Sequence, residues 1–133
     1  MVEEIWFLSV EQVIDLHVES IRRHSPTESL AIRDTGLLES AVMTPQQTFG
    51  GEFLYETITA MAAAYLIGLS GNHAFENGNK RVAFAACSTF LRMNGWRLTL
   101  SQDEAVDLTL RVVNHQLSRD AVIELLDNAI EQL

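Results

Sequence analysis

The chain has 133 residues, of which 47% are hydrophobic and 20% are charged. This length and composition predict one folded domain over residues 1–133 and exclude a disordered chain. The net charge of −9 argues against direct nucleic-acid binding and against an anionic membrane surface, because both need a basic face.

Three features bear on where the protein works. The acidic start Met1-Val2-Glu3-Glu4 differs from the basic start of a signal peptide, so no targeting segment is predicted. The longest apolar run, residues 60–69, is shorter than the roughly 20 residues that span a membrane, and it predicts a buried helix. A single cysteine, Cys87, excludes a disulfide framework and a cysteine-rich zinc site, which makes a cytoplasmic location the expectation.

The first half of the chain predicts two helices and a loop. Ser9 and Gln12 have the spacing of a capping box, and apolar residues at helical spacing follow them. A second, shorter helix is expected around residues 37–42 and ends before Pro45. Residues 46–55 have two glycines at their centre and no helical period, which predicts a loop or a small hairpin.

The second half predicts four helices. Residues 56–69 are apolar on nearly every side, so this helix should be central, and a second apolar helix runs over residues 80–94. Residues 97–100 predict a short strand or extended link. Ser101 and Ser118 then begin two more helices, and the last carries an apolar stripe formed by Val122, Leu125, Leu126, Ala129, Ile130 and Leu133. The fold class is therefore all-α, with about six helices.

The segment His73–Arg81 is where the residue types indicate chemistry. Its last residues open a helix, where free N–H groups and the helix dipole favour an anion, and Lys80 and Arg81 add positive charge. His73 precedes them and can accept a proton from a hydroxyl. A base beside an anion cradle indicates phosphoryl or nucleotidyl transfer. The plainer interpretation is that Asn79 only caps the helix and Lys80 is solvated.

The other histidines and the cysteine favour structural interpretations. His17 falls on the apolar face of the first helix and is expected to be a satisfied core histidine. His24 and His115 are expected to end their helices, where a cation suits the dipole. Cys87 lies in an apolar run and is expected to be an inert buried thiol.

The same segment resembles the signature of the Fic/Doc family. The matching positions are His73, Phe75, Gly78, Asn79 and Arg81. Lys80 stands where Fic adenylyltransferases have glycine and Phe84 where they have a second arginine, so the similarity is to the Doc (death-on-curing) toxins. Segments 33–41 and 47–51 also look Doc-like, and the resemblance is close over about residues 30–95.

The resemblance implies an all-helical, single-domain Fic fold and an activity. Doc-type proteins are kinases that use ATP and a magnesium ion to phosphorylate a threonine of elongation factor Tu, which stops translation. Fic relatives instead transfer AMP to a protein hydroxyl. The alternatives to a kinase are therefore an adenylyltransferase and a catalytically silent Fic-fold protein that only binds a nucleotide or a partner.

The resemblance also assigns residues. His73 is the expected general base and Arg81 its catalytic companion, while Gly78, Asn79, Lys80 and Arg81 hold the nucleotide. Lys80 closes the space that glycine leaves open, so ATP presents its γ-phosphate. Asn77 is the expected metal ligand, although Asp or Glu is usual there and an amide oxygen carries no charge.

Regulation and target binding follow from the same resemblance. The inhibitory pattern [S/T]-x-x-x-E-[G/N] of some Fic proteins is absent, because the only Glu followed by Gly or Asn is Glu76, and Asn72 lies four residues before it. An antitoxin of the Phd type is therefore expected to inhibit the protein in trans. Residues 46–55 are expected to be a flap that pairs with an extended target segment.

Overall fold

The computed structural model describes residues 4–133, and the expectation drawn from the acidic start falls largely on residues 1–3, outside this range. The described chain is mainly helical, as predicted, with six α-helices and two small antiparallel strand pairs. The helices are α1 (Val10–His24), α2 (Thr35–Met43), α3 (Ile58–Gly71), α4 (Asn79–Met93), α5 (Gln102–Val113) and α6 (Arg119–Asp127). A 3₁₀ turn at Thr44–Gln46 follows α2.

Side-chain caps explain where five of the six helices begin. The cap residues accept a hydrogen bond from the backbone N–H three residues later, and they are Ser9, Asp34, Thr57, Ser101 and Ser118. Such a cap satisfies one of the N–H groups that a helix start leaves without a partner. The exception is α4, which begins after Gly78 and has no side-chain cap.

The core is built around α3. This helix is buried on nearly every side, as its apolar sequence predicts, and its most extensive contact is with α4. Helices α2, α5 and α6 also pack on α3, while α1 lies against α4 and α2. Within residues 4–133, no helix is both long enough and apolar enough to cross a membrane. The α3–α4 pair is the rigid frame that holds the loop between the two helices, residues 72–78.

The hairpin predicted within residues 46–55 is confirmed. Strands β1 (Thr48–Phe49) and β2 (Glu52–Phe53) pair antiparallel across Gly50 and Gly51, which both have positive φ angles. Positive φ angles suit a tight hairpin turn and favour glycine. Phe49 is 81% exposed, so the hairpin offers an apolar side chain to solvent.

The end of the chain differs from the prediction. Helix α6 ends at Asp127 rather than continuing through Leu133, and strand β4 (Ile130–Gln132) pairs antiparallel with β3 (Trp96–Leu98). The helical stripe placed Ile130 on the same face as Val122, but Ile130 lies opposite Leu98 in this ladder. The extended β3 segment has backbone groups that need partners, and a further helical turn could not supply them.

Candidate active site

The loop between α3 and α4 is held by the segment just before α2. The carbonyl of Ala74 accepts hydrogen bonds from the backbone N–H groups of Arg33 (2.8 Å) and Asp34 (3.1 Å), and the N–H of Glu76 donates to Ala31 (3.2 Å). Ile32 forms an antiparallel bridge with Phe75. Residues 31–34 therefore fix the shape of the loop through the backbone.

Asn79 closes the loop on itself. Its side-chain oxygen accepts from the N–H of Phe75 (3.0 Å), and its side-chain nitrogen donates to the carbonyl of Phe75 (2.9 Å). The sequence assigned Asn79 to the nucleotide, and in the structure both polar atoms of its side chain bond to the loop. The part of Asn79 left for a ligand is its backbone N–H at the start of α4.

The start of α4 is an uncapped helix N-terminus. Gly78 precedes it with φ +78°, in the left-handed region that favours glycine. Within residues 4–133, the N–H groups of Asn79, Lys80 and Arg81 have no hydrogen-bond partner, and the ladder begins with Val82 N–H bonded to Gly78 (3.0 Å). Three free donors at the positive end of the helix dipole form a natural anion site.

The underside of the loop is supported by α1. Phe75 is buried, and its ring stacks on that of His17 with centroids 3.8 Å apart and an interplanar angle of 12°. The Nε2–H of His17 donates to the carbonyl of Asn77 at 2.7 Å. Burial lowers the pKa of His17, and this hydrogen bond offsets the effect only in part, so the ring is neutral near pH 7.

The sequence predicted His17 to be a satisfied core histidine; it is buried and its Nε2 is hydrogen-bonded, but its Nδ1 has no partner within residues 4–133. The sequence did not reveal that the partner of Nε2 is the signature loop itself. Periodicity identifies the apolar face of a helix but not the segment, 60 residues away, that packs on it.

The catalytic candidate His73 lies at the surface. It is exposed, and its φ of +54° is uncommon for a residue other than glycine. The hydrogen bonds at Ala74, the next residue, hold the chain in this conformation. The imidazole therefore stands on a fixed backbone while its ring remains accessible from solvent.

The two cations of the signature have different surroundings. Arg81 donates a hydrogen bond to the hydroxyl of Ser25, which directly follows α1. Lys80 is exposed and forms no hydrogen bond or ion pair through its side chain with residues 4–133. Arg81 is thus oriented by the protein, whereas the ammonium of Lys80 remains available to a ligand.

These groups share one cavity, with a volume of ≈ 840 Å³. All the predicted site residues line it, namely His73, Asn77, Gly78, Asn79, Lys80 and Arg81. The size falls in the range typical of small-molecule sites. The structure therefore brings the predicted site residues together in one place.

Part of this cavity was not predicted from the sequence. One part of its lining is apolar. This part is formed by Phe84 of α4 and by residues of α5, among them Val106, Leu110 and Val113. Val106 is 54% exposed and Leu110 42% exposed. Their helical spacing was visible in the sequence, but a stripe that lines a cavity has the same pattern as one that faces the core.

Glu28 and Glu76 also line the cavity. Magnesium in phosphoryl-transfer sites is usually held by one or two protein oxygens together with phosphates and water. Within residues 4–133, no three His, Cys, Asp or Glu side chains cluster as a metal site. The oxygen of Asn77, with the carboxylates of Glu28 and Glu76 in the same cavity, is a donor of the kind that fits a magnesium ion held chiefly by phosphates and water.

We expect Asn77→Asp to strengthen magnesium binding at this site. An added unit charge is worth about 1 kcal/mol per unit of partner charge at 4 Å in water, hence about 2 kcal/mol for the doubly charged ion, so the half-saturating magnesium concentration should fall roughly thirtyfold. It can be measured by titrating transfer activity, and nucleotide affinity, against magnesium. The control is Asn128→Asp, an equal charge change at an exposed position after α6. An unchanged half-saturation for Asn77→Asp would show that Asn77 is not a ligand.

We expect Gly78→Ala to destabilise the protein more than the same change at Gly95. Both glycines have positive φ, which costs an L-residue roughly 1–2 kcal/mol. A Cβ at Gly78 would also lie 2.9 Å from Ile21 Cδ1 and 3.5 Å from the His17 ring, whereas one at Gly95 meets nothing within 4 Å. The close approach should add about 1 kcal/mol. Urea unfolding measures both variants, and equal losses would contradict a tight contact between α1 and the loop.

The remaining candidates are outside the cavity. Cys87 is fully buried, and burial raises its thiol pKa to about 12, as expected for an inert thiol. His24 is the last residue of α1, as predicted. His115 lies two residues beyond the end of α5 with φ +56°, not at the helix end itself, because α5 stops at Val113.

Comparison with known proteins identifies the family. The model of the Fic/DOC family matches residues 7–91, which include α1, the loop and most of α4. The chain belongs to the Fic/DOC family.

Two curated relatives are similar over most of their length. The protein named Toxin Doc from Mycolicibacterium smegmatis is 42% identical over 95 residues, covering 71% of this chain and 72% of the relative. The protein named Protein kinase doc from Escherichia phage P1 is 30% identical over 122 residues, covering 90% and 91% respectively.

Proposed function

We propose that this protein is the toxin of a toxin–antitoxin module and acts as an ATP-dependent protein kinase. Its substrate is a threonine or serine hydroxyl of a translation factor, with elongation factor Tu as the first candidate, and the modification blocks translation in the cytoplasm. The observation that carries the proposal is one cavity that combines the exposed His73, the uncapped start of α4 and the cations Lys80 and Arg81.

The two ends of the cavity suit the two ends of a nucleotide. The uncapped helix start and the cations can hold phosphates, while the apolar wall around Phe84 and Leu110 can shelter an uncharged base. The chain has nine basic residues in total, and both cations of the signature lie in this cavity. Glu28 and Glu76 balance these two cations in the lining, so the support for an anionic ligand comes from where the cations stand, at the start of α4 beside its free N–H groups.

In the proposed step, His73 accepts the proton of the target hydroxyl as its oxygen attacks the γ-phosphorus. The bond from the γ-phosphorus to the β–γ bridging oxygen breaks, and ADP leaves. Lys80, Arg81 and the free N–H groups of α4 stabilise the negative charge on the phosphate oxygens. A magnesium ion held by Asn77 would neutralise part of that charge when bound.

Lys80 favours the transfer of phosphate over the transfer of AMP. Its side chain occupies space beside the helix start that a glycine would leave open, and Phe84, one turn later, provides no cation for a further phosphate contact. The name of the phage relative, Protein kinase doc, agrees with this choice. An adenylyltransferase remains the second candidate, because the family signature is common to both activities.

The partner that we propose is an antitoxin of the Phd type, supplied in trans. The sequence lacks the inhibitory pattern found in some Fic proteins, and the relative from Mycolicibacterium smegmatis is named as a toxin. Co-expression with an antitoxin of the Phd type should therefore restore growth to cells that produce this chain.

The proposal is tested by intact-mass analysis of elongation factor Tu after incubation with the protein, ATP and magnesium. A gain of one phosphate is expected. A gain of AMP would replace the kinase by the adenylyltransferase, and an unmodified factor would reject this target. The same incubation with a whole-cell extract, and with ATP labelled separately at the α- and γ-phosphates, then shows whether any other protein is modified. No protein labelled from either position, beyond those labelled in the extract alone, would leave only a binding function.

A further inference from the structure

Each residue of the loop from Ala74 to Gly78 has a backbone anchor, and the anchor of Asn77 is unusual. Ala74 and Glu76 bond to residues 31–34, Phe75 bonds to Asn79, and the carbonyl of Gly78 accepts from α4. The backbone bond of Asn77 within the described chain is the one at 2.7 Å from His17. The peptide that precedes the uncapped helix start is therefore fixed by a single side chain of α1.

Packing alone does not account for a histidine at this position. His17 is fully buried, and its Nδ1 has no hydrogen-bond partner within residues 4–133. A buried nitrogen without a partner is costly, so an apolar ring of similar size would fill this space at a lower desolvation cost. What the imidazole adds over a phenyl ring is the Nε2–H donor, and its acceptor is the Asn77 carbonyl.

We propose that His17 is a positioning residue for the transfer reaction, which holds the Asn77 peptide in the orientation the site needs. Through this one hydrogen bond, α1 sets the direction of the Asn77 side chain and of the first N–H groups of α4. The stacked ring of Phe75 limits the tilt of the imidazole, and the close approach of Gly78 to Ile21 brings α1 near enough for the bond to form. This inference rests on the function proposed above.

Two substitutions separate the hydrogen bond from the packing. His17→Phe keeps a planar ring against Phe75 but removes the donor, whereas His17→Gln gives up the ring and keeps an N–H donor that can reach the Asn77 carbonyl. We expect His17→Phe to lower kcat about 10- to 100-fold, because a displacement of about 1 Å in a positioned group has effects of this size. The KM for ATP should change much less, and His17→Gln should recover most of the lost rate.

A second measurement does not depend on activity. Amide hydrogen exchange on the nucleotide-free protein should show Phe75 and Glu76, whose N–H groups are bonded within or beside the loop, exchanging roughly tenfold faster in His17→Phe. Amides in the middle of α3 are the internal control, because a general loss of stability would accelerate their exchange as well. They should exchange at the wild-type rate in both variants.

The outcomes decide between positioning and simple packing. Wild-type loop exchange in His17→Phe would overturn the inference, and so would equal impairment of the Phe and Gln variants or a uniform acceleration that includes α3. If the wild-type protein modifies no target, the proposed function fails. The exchange comparison still tests whether His17 holds the loop, since it needs neither ATP nor a substrate.

Discussion

His73→Ala is expected to lower the rate of group transfer by on the order of 10²–10⁴, the usual contribution of a general base. The protein should still fold, because His73 is exposed and its side chain makes no hydrogen bond within the described residues. Its φ of +54° is held by the bonds to the neighbouring Ala74, and those involve backbone atoms only. The rate is measured by intact mass or by label transfer, and growth of cells that produce the variant gives an independent reading.

The chain provides a matched control for this substitution. His115 is also exposed and also has a positive φ, +56°, but it lies outside the cavity. His115→Ala therefore repeats the chemical change and the backbone environment without touching the candidate base, and it should transfer at the wild-type rate. A folded His73→Ala protein that also works at the wild-type rate would remove His73 from the mechanism.

Local patterns in the sequence were sufficient to predict most of the helices and the position of the central one. Capping residues such as Ser9 and Ser101 mark helix starts through contacts three residues apart, and these contacts do not depend on the rest of the molecule. The continuous apolar character of α3 likewise required a central position. The predicted site residues come together because they are neighbours in one loop and one helix turn.

The sequence patterns could not predict contacts between residues that are far apart in the chain. Strand β4 continues the apolar spacing of α6, and only its pairing with β3 makes it extended. The helical spacing of Val106 and Leu110 predicts an apolar helix face but does not show that this face lines the candidate site. The bond from His17 to Asn77 joins residues 60 positions apart, and no periodicity predicts such a contact.

Asn79 was identified correctly as a residue of the signature, but its side chain has a different role from the one expected. The family resemblance assigned Asn79 to the nucleotide, yet both polar atoms of its side chain bond to Phe75. The loop that this produces ends at Gly78, where the missing cap leaves three N–H groups for a ligand. Asn79 can therefore contribute to anion binding by shaping the helix start, with its backbone as the direct donor.

Lys80→Gly is expected to lower phosphate transfer by on the order of 10², comparable to the loss of one preorganised donor to a transition-state oxyanion. Lys80 is the only lysine in the chain and the second residue of α4, and it lines the cavity with no partner for its ammonium within residues 4–133. Glycine removes the charge and opens space beside the helix start. Lys80→Met keeps most of the bulk without the charge, so it separates the two effects.

A second substitution, at Phe84, extends this experiment. Phe84 lies one helical turn from Lys80 and lines the same cavity. If Lys80 selects the transferred group by filling space, the double variant Lys80→Gly with Phe84→Arg should move AMP, whereas Lys80→Met should move neither group efficiently. ATP labelled separately at the α and γ positions distinguishes these products. Transfer of the α label by the wild-type protein would overturn the kinase assignment, since its Lys80 would then be compatible with the orientation of ATP that AMP transfer requires.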